Sequence, residues 1–392
     1  MGLYICENKE LQYIGHMRRE EKEQEHQLLL AEKKRVPELF EMPPMIDTLQ
    51  LLQWIGIEGV FGEYPFGHLK YLPEDFIVEE IIDLKIDDKK QDYSIFRLTK
   101  KNWSTFNIIE KISERLQIPQ KFIGYAGIKD RKAVTTQYIS IYKINKEKIE
   151  NLKIEDVNLE FVGYSKERIN LGDLKENKFK ITIRNLNKKI KLPKKLQLEN
   201  YFDSQRFGKD NNTHEIGKLI LKRNFKEVCK ILNLEINNND PIGALRKQPL
   251  KLLKFYISAY QSYIWNKNLN EIIKQNKSIK TIKSELGEIS FSNKKIKPFK
   301  IPLLNFDTEE DIILTKIMKE ENISKLDFII KQIPELIYAS IEREAFIEIK
   351  NIKSKFSKDE LNKEKLKLVL EFNLPKGSYA TMLIKKISLL LQ

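Results

Sequence analysis

Apolar and polar residues alternate along several short stretches of the chain and recur at helical spacing along others. Phe76 and Val78 alternate with Ile77 and Glu79, the pattern of a half-buried strand. Tyr93–Leu98, Tyr138–Tyr142, Leu159–Val162 and Leu366–Phe372 read as further strands, and Phe179, Ile181 and Ile183 mark one face of another. Phe106, Ile109, Ile112 and Leu116 fall on one side of a helix that Ser104 or Thr105 would cap and Pro119 would end. From Lys209 to about Leu336 the spacing turns mostly helical, over His214–Leu221, Lys226–Leu232 and Leu252–Ile273. A last helix carries Met382, Ile384 and Leu389. Ahead of all this, Arg18–Arg35 is a dense mixed-charge run that Pro43-Pro44 closes off. Asp47 is then expected to cap a short helix carrying Leu49, Leu52 and Trp54, and a glycine-punctuated loop follows from Gly56 to Gly67.

A length of 392 residues suggests two domains. No apolar run approaches the ~20 residues of a membrane-spanning helix, and residues 1–6 lack the apolar core of a secretory signal. A cytoplasmic protein is expected. Cys6 and Cys229 are far apart, and His16, His26, His68 and His214 are scattered. Neither a disulfide framework nor a metal site is expected. The net charge of +14 suits a polyanion or an anionic membrane surface. A Lys- and Ile-rich composition could give the same excess, so charge alone does not choose a partner.

Special residues concentrate in Gly124-Tyr125-Ala126-Gly127-Ile128-Lys129-Asp130-Arg131-Lys132-Ala133-Val134-Thr135-Thr136-Gln137. The glycines allow close approach to a ligand, and one carboxylate, Asp130, stands among Lys129, Arg131 and Lys132. Positive neighbours favour a carboxylate that acts as an anion or nucleophile over one that donates a proton. Taken locally, the same stretch also reads as a polar turn with a solvated basic run.

The string G-Y-A-G-x-K-D-R-x-A-V-T-T-Q resembles the signature of the TruD family of tRNA pseudouridine synthases. Four more strings follow the family in order from Ile46 to Gln392: His68–Glu80 with Pro-Glu-Asp-Phe, Arg168–Phe179, Asn200–Gly208, and Leu374–Thr381. Asp203 departs from the glycine that many members carry there. The resemblance implies an α+β fold, with a mixed, mostly antiparallel sheet, flanking helices and an inserted, largely helical TRUD domain. On that basis residues 46–208 and 337–392 form the catalytic domain, 209–336 the insertion, and 1–45 a charged appendage that the resemblance does not reach.

It also implies that Asp130 cleaves the N-glycosidic bond of a tRNA uridine, typically uridine 13 in the D arm, so that C5 can rejoin C1′. The carboxylate could attack C1′ or C6, or assist glycal formation. The isomerisation needs no redox change, ATP or metal, so no cofactor is expected. Lys70, Lys129, Asn177, Phe179, Gln205 and Arg206 are the implied substrate-binding residues, with Lys376 a phosphate contact and Ser378 a helix cap. A monomer is expected. The alternatives are a noncatalytic RNA-binding module on the same scaffold and a carboxylate-dependent nuclease. The second is weak, because no other Asp or Glu accompanies Asp130 in its motif.

Overall fold

The computed structural model describes residues 63–391, apart from 65–66, 151, 209 and 285–286. The appendage expected over 1–45 and the helix expected after Asp47 lie outside the described residues. These form two compact units, one of residues 63–213, 269–300 and 344–391, the other of 214–268 and 301–343.

The first unit is built on a ten-stranded sheet. Its strands are β1 (Glu63–Tyr64), β2 (Gly67–Leu69), β3 (Phe76–Ile82), β4 (Tyr93–Lys101), β5 (Ile123–Tyr125), β6 (Val134–Tyr142), β7 (Val157–Ser165), β8 (Leu174–Leu186), β15 (Lys353–Lys358) and β16 (Leu366–Pro375). Between β8 and β15 in the chain lie β9 (Leu196–Glu199), the hairpin of β10 (Ile279–Ser284) and β11 (Gly287–Ser292), β12 (Lys300–Pro302), β13 (Glu342–Glu344) and β14 (Phe346–Ile349), which pairs with β9. One edge of β8 carries β16, and the other carries β3 and then β2. The sheet continues through β6 and β4 to β7. Among the described residues, only the β3–β6 pairing in this sheet is parallel, and the others are antiparallel.

Strand periodicity explains the core. Phe76 and Val78 of β3, Phe96 and Leu98 of β4, and Phe179, Ile181 and Ile183 of β8 are all buried, because alternate side chains share a face. Helix α1 (Thr105–Leu116) buries Phe106, Ile108, Ile109 and Ile112. The Ser104 hydroxyl caps it by accepting from the Asn107 N–H at 3.1 Å, and Gln117 ends it at a left-handed φ of 55°. Phe106 meets Tyr125 of β5 edge-on at 6.4 Å. A short helix, α2 (Lys146–Glu150), precedes β7.

The second unit is mostly helical. It holds most of α3 (Thr213–Leu221), all of α4 (Phe225–Ile231), α5 (Pro241–Arg246) and α7 (Ile312–Glu320), and the first part of α6 (Leu250–Lys274). Leu221, Val228, Leu245, Tyr260, Ile317 and Ile330 are buried within it. Glu321 ties α3 to α6, pairing with Lys218 at 2.7 Å and Lys267 at 2.8 Å. The sequence division put all of 209–336 in the insertion, yet 269–300 fold with the sheet-bearing unit. The cause is α6, which runs unbroken for 25 residues and leads into the β10–β11 hairpin. The last helix, α8 (Ala380–Leu391), returns to the first unit. Among the described residues, no helix is long and apolar enough to cross a membrane.

Candidate active site

Asp130 lies on the loop 126–133, which links β5 to β6. β5 stands between α1 and this loop. Gly124 is needed there: a Cβ would stand 2.3 Å from the Ile169 carbonyl oxygen and 2.6 Å from Ser140 Oγ. The loop begins in the core, where Ala126 packs with Ile95, Ile169 and Leu174. From there its backbone is held group by group. Gly172 N–H donates to Ala126 O at 2.8 Å, and Gln137 Nε2 donates to Gly127 O at 3.1 Å. Lys129 N–H donates to Thr105 Oγ1 at 2.9 Å, and Lys100 Nζ donates to Asp130 O at 3.1 Å. Thr105 is fully buried and donates in turn to Gln137 Oε1, so it organises the loop. Burial pushes the Lys100 ammonium down to about 7; the charge of Asp130 opposes the shift and that of Lys129 adds to it.

Both oxygens of Asp130 are held from elsewhere in the chain. Lys70 Nζ lies 2.7 Å from Oδ2, and Gln205 Nε2 donates to Oδ1 at 3.2 Å. Lys70 stands in a left-handed turn with φ 54°, uncommon for a side chain of this size. Its ammonium also lies over the Phe76 ring, 4.0 Å from the centroid. The Lys70 side chain is 6% exposed and that of Asp130 18%, so the carboxylate is the accessible partner.

The local ring of cations works differently from the sequence reading. Lys129 turns inward to a fully buried Glu80 at 2.7 Å, and donates to Asn177 Oδ1 at 2.9 Å. An ammonium only donates, so the amide oxygen of Asn177 must face Lys129. The two N–H bonds of Nδ2 are left for the cavity. The counter-charge at the Asp130 carboxylate comes from Lys70, 60 residues away.

Lys129, Asp130, Asn177 and Gln205 line one cavity of about 270 Å³ with Phe76 and Val78, whereas Lys70 does not line it and reaches it only through Asp130. Phe179 forms part of its wall, stacked on Phe372 at 5.4 Å and edge-on to Phe76 at 6.0 Å. It is 7% exposed, so it is both strand core and cavity surface. Gly127–Asp130, Leu174, Asn177, Gln205 and Lys376–Thr381 complete the wall. All five motif strings therefore meet here. Arg206 does not line the cavity; its guanidinium lies over the Phe202 ring at 5.8 Å. Ser378 is not a cap: its hydroxyl donates to Asn200 Oδ1 at 3.0 Å, and α8 starts at Ala380. The exposed Lys376 donates to Gly172 O at 2.9 Å.

A sequence model of the family described as tRNA pseudouridine synthase D (TruD) matches residues 63–238, 230–305 and 304–387. A Methanocaldococcus jannaschii protein named a probable tRNA pseudouridine synthase D 2 is 34% identical, across 82% of this chain and 91% of its own. The tRNA pseudouridine synthase D of Aquifex aeolicus is 30% identical, across 81% of this chain and 97% of its own. A Methanosarcina mazei protein assigned to tRNA pseudouridine synthase D has a crystal structure that superposes with a TM-score of 0.61 at 27% identity, covering 86% of this chain.

The chain belongs to the TruD family. Its mixed, mostly antiparallel sheet is the TruD pseudouridine synthase fold. Within this TruD chain the motif strings supply the cavity wall, but two of its supports lie outside them or were passed over. Lys100 shares the inward face of β4 with Phe96 and Leu98, and Glu80 that of β3 with Phe76 and Val78. A charged residue on a buried strand parity is a signal legible in sequence. Asp203, the departure from the TruD pattern, is also buried. It caps the turn Ser204–Phe207, accepting from Ser204 N–H at 2.9 Å, and pairs with Lys385 of α8 at 2.5 Å and with Thr381.

Proposed function

We propose that this chain isomerises uridine 13 of tRNA to pseudouridine, as a monomer, with Asp130 as the catalytic carboxylate. The arrangement that carries the reading is the Asp130 carboxylate, held through both oxygens by Lys70 and Gln205, in the same cavity as Asn177 and Phe179. All of these residues come from one chain.

The reaction breaks the bond from C1′ to N1, turns the uracil and joins C5 to C1′. N1 gains a proton and C5 loses one, so the product is an isomer. The base and the charge at C1′ each have a residue suited to them. The target base must leave its stack to enter a cavity of this kind. Phe179 offers an apolar wall for it, and Asn177 Nδ2 offers donors to a uracil carbonyl. Asp130, accepting hydrogen bonds from an ammonium and an amide, is placed to act as an anion or to donate an electron pair. It would oppose positive charge developing at C1′, or form a covalent bond there or at C6. Lys129 acts through Asn177, fixing which end of the amide meets the base.

The test is to incubate the protein with unmodified tRNA transcripts in EDTA and map pseudouridine by position. Conversion at position 13, abolished when that uridine is replaced by cytidine, is expected. Binding without conversion of any tRNA would make the chain an RNA-binding module, and conversion confined to another position would overturn the target.

A further inference from the structure

A second cavity, of about 610 Å³, opens on the sheet-bearing unit and shares no lining residue with the one around Asp130. Lys191, Lys195, Lys280, Lys294, Lys295 and Lys386 line it, against a single carboxylate, Glu348. Part of that charge is matched. Lys386 pairs with Glu199 at 2.7 Å, Lys295 with Glu348 at 3.0 Å, and Lys280 donates to Leu389 O near the end of α8. Lys195 contributes to the field on Glu348, whose carboxyl is held below its ordinary range chiefly by the hydrogen bond from Lys295. Among the described residues, Lys191 and Lys294 have no ion pair.

The lysines are brought together by clamped backbone, not by loose loops. Gln197 of β9 donates to Ile296 O at 2.6 Å and accepts from Ile296 N–H at 2.8 Å. This pair of hydrogen bonds fixes the segment carrying Lys294 and Lys295. The other segment is held where Ile352 N–H donates to Lys194 O at 3.1 Å. The two segments contain the same five residues in order, Asn187-Lys188-Lys189-Ile190-Lys191 and Asn293-Lys294-Lys295-Ile296-Lys297. Holding like charges together is unfavourable unless an anion joins them.

Helix α8 links the two cavities. Ala380 and Thr381 line the first; Lys386 and Leu389 line the second. At 1.5 Å per residue, Thr381 and Leu389 are about 12 Å apart along the axis. At about 3.4 Å per stacked nucleotide, that is three to four nucleotides.

We infer that the lysine-lined cavity receives backbone phosphates of the RNA strand whose reacting nucleotide enters the Asp130 cavity. The inference rests on the proposed RNA substrate. The phosphates contribute affinity and register, and the chemistry stays at Asp130.

The test compares wild type with the triple variant Lys191→Gln, Lys195→Gln, Lys294→Gln. A control triple, Lys353→Gln, Lys355→Gln, Lys358→Gln, removes the same charge from exposed positions of β15. Affinity for an unmodified tRNA transcript is measured across a salt series, together with single-turnover pseudouridine formation at saturating protein. The cavity triple should flatten the slope of log affinity against log salt by about 2 to 3 and weaken binding about tenfold or more at low salt. Its saturated rate should stay within about twofold of wild type, and the control should lose less than about one unit of slope. An unchanged slope, or an equal loss in the control, overturns the inference. Calorimetric binding of inorganic phosphate that the triple abolishes, with the tRNA slope unchanged, would make this a free-anion pocket and also overturn it. A cavity-dependent slope in a protein that forms no pseudouridine would refute the proposed function and leave this inference standing.

Discussion

The residue-scale feature is a carboxylate whose support comes from distant positions. Lys70 gives Asp130 its counter-charge while resting on Phe76. Lys70→Met removes that charge and keeps an apolar stem over the ring. The variant should bind tRNA within a few-fold of wild type while its saturated rate falls about 100-fold, the equivalent of about 2.7 kcal/mol at the transition state. A rate within twofold would take Lys70 out of the chemistry. Lys100 yields a different signature, in stability. Its pKa is about 7 in the folded chain against 10.5 when free. Between those values the unfolded chain binds more protons, so stability rises with pH across this window. The slope is at most about 1.4 kcal/mol per pH unit. Below pH 7 the full cost of the buried ammonium is present, and above 10.5 it is gone. Denaturant unfolding of Lys100→Met should lack this rise, and parallel pH profiles for variant and wild type would contradict the assignment.

At the scale of elements, the cavity wall depends on α8 staying docked through Asp203. Burial alone would raise the carboxyl of Asp203, but the Lys385 ammonium beside it and hydrogen bonds from Lys385, Thr381 and Ser204 hold it below its free value of 3.8. Its contribution is therefore complete above pH 3.8 and is lost as pH falls through the lowered folded value. Asp203→Asn leaves Lys385 with no charge partner there and should cost about 3–5 kcal/mol at neutral pH, as read by urea unfolding. The variant should also be less sensitive to acid than wild type, and equal stability at pH 7 would rule the pair out as a brace. How much of this was legible varied with the element. The alternation in β3, β4 and β8 marked strands, and its inward parity already held Glu80 and Lys100. The β10–β11 hairpin was not legible, because β10 has no fully buried face while four consecutive residues of β11 are buried. The parallel pairing of β3 with β6 was hidden for another reason: 51 residues lie between Ile82 and Val134, and strand patterns carry no partner choice.

At the scale of the whole molecule, a net charge of +14 should make encounter with RNA fast and salt-dependent. That property alone would suit many nucleic-acid binders. What singles out one chemistry is that separate motif strings, spread from His68 to Thr381, contribute to one cavity around one carboxylate. The sequence pointed to Asp130, Asn177, Phe179 and Gln205 only through the strings they stand in. It could not reveal that Lys129 serves Asn177, or that Arg206 turns to Phe202, since both depend on contacts made after folding. The decisive measurement is single-turnover conversion of unmodified tRNA by Asp130→Asn, with binding followed in the same samples. The variant should bind within a few-fold of wild type and form no detectable pseudouridine. Pseudouridine formed at the wild-type rate would contradict the central role of this carboxylate.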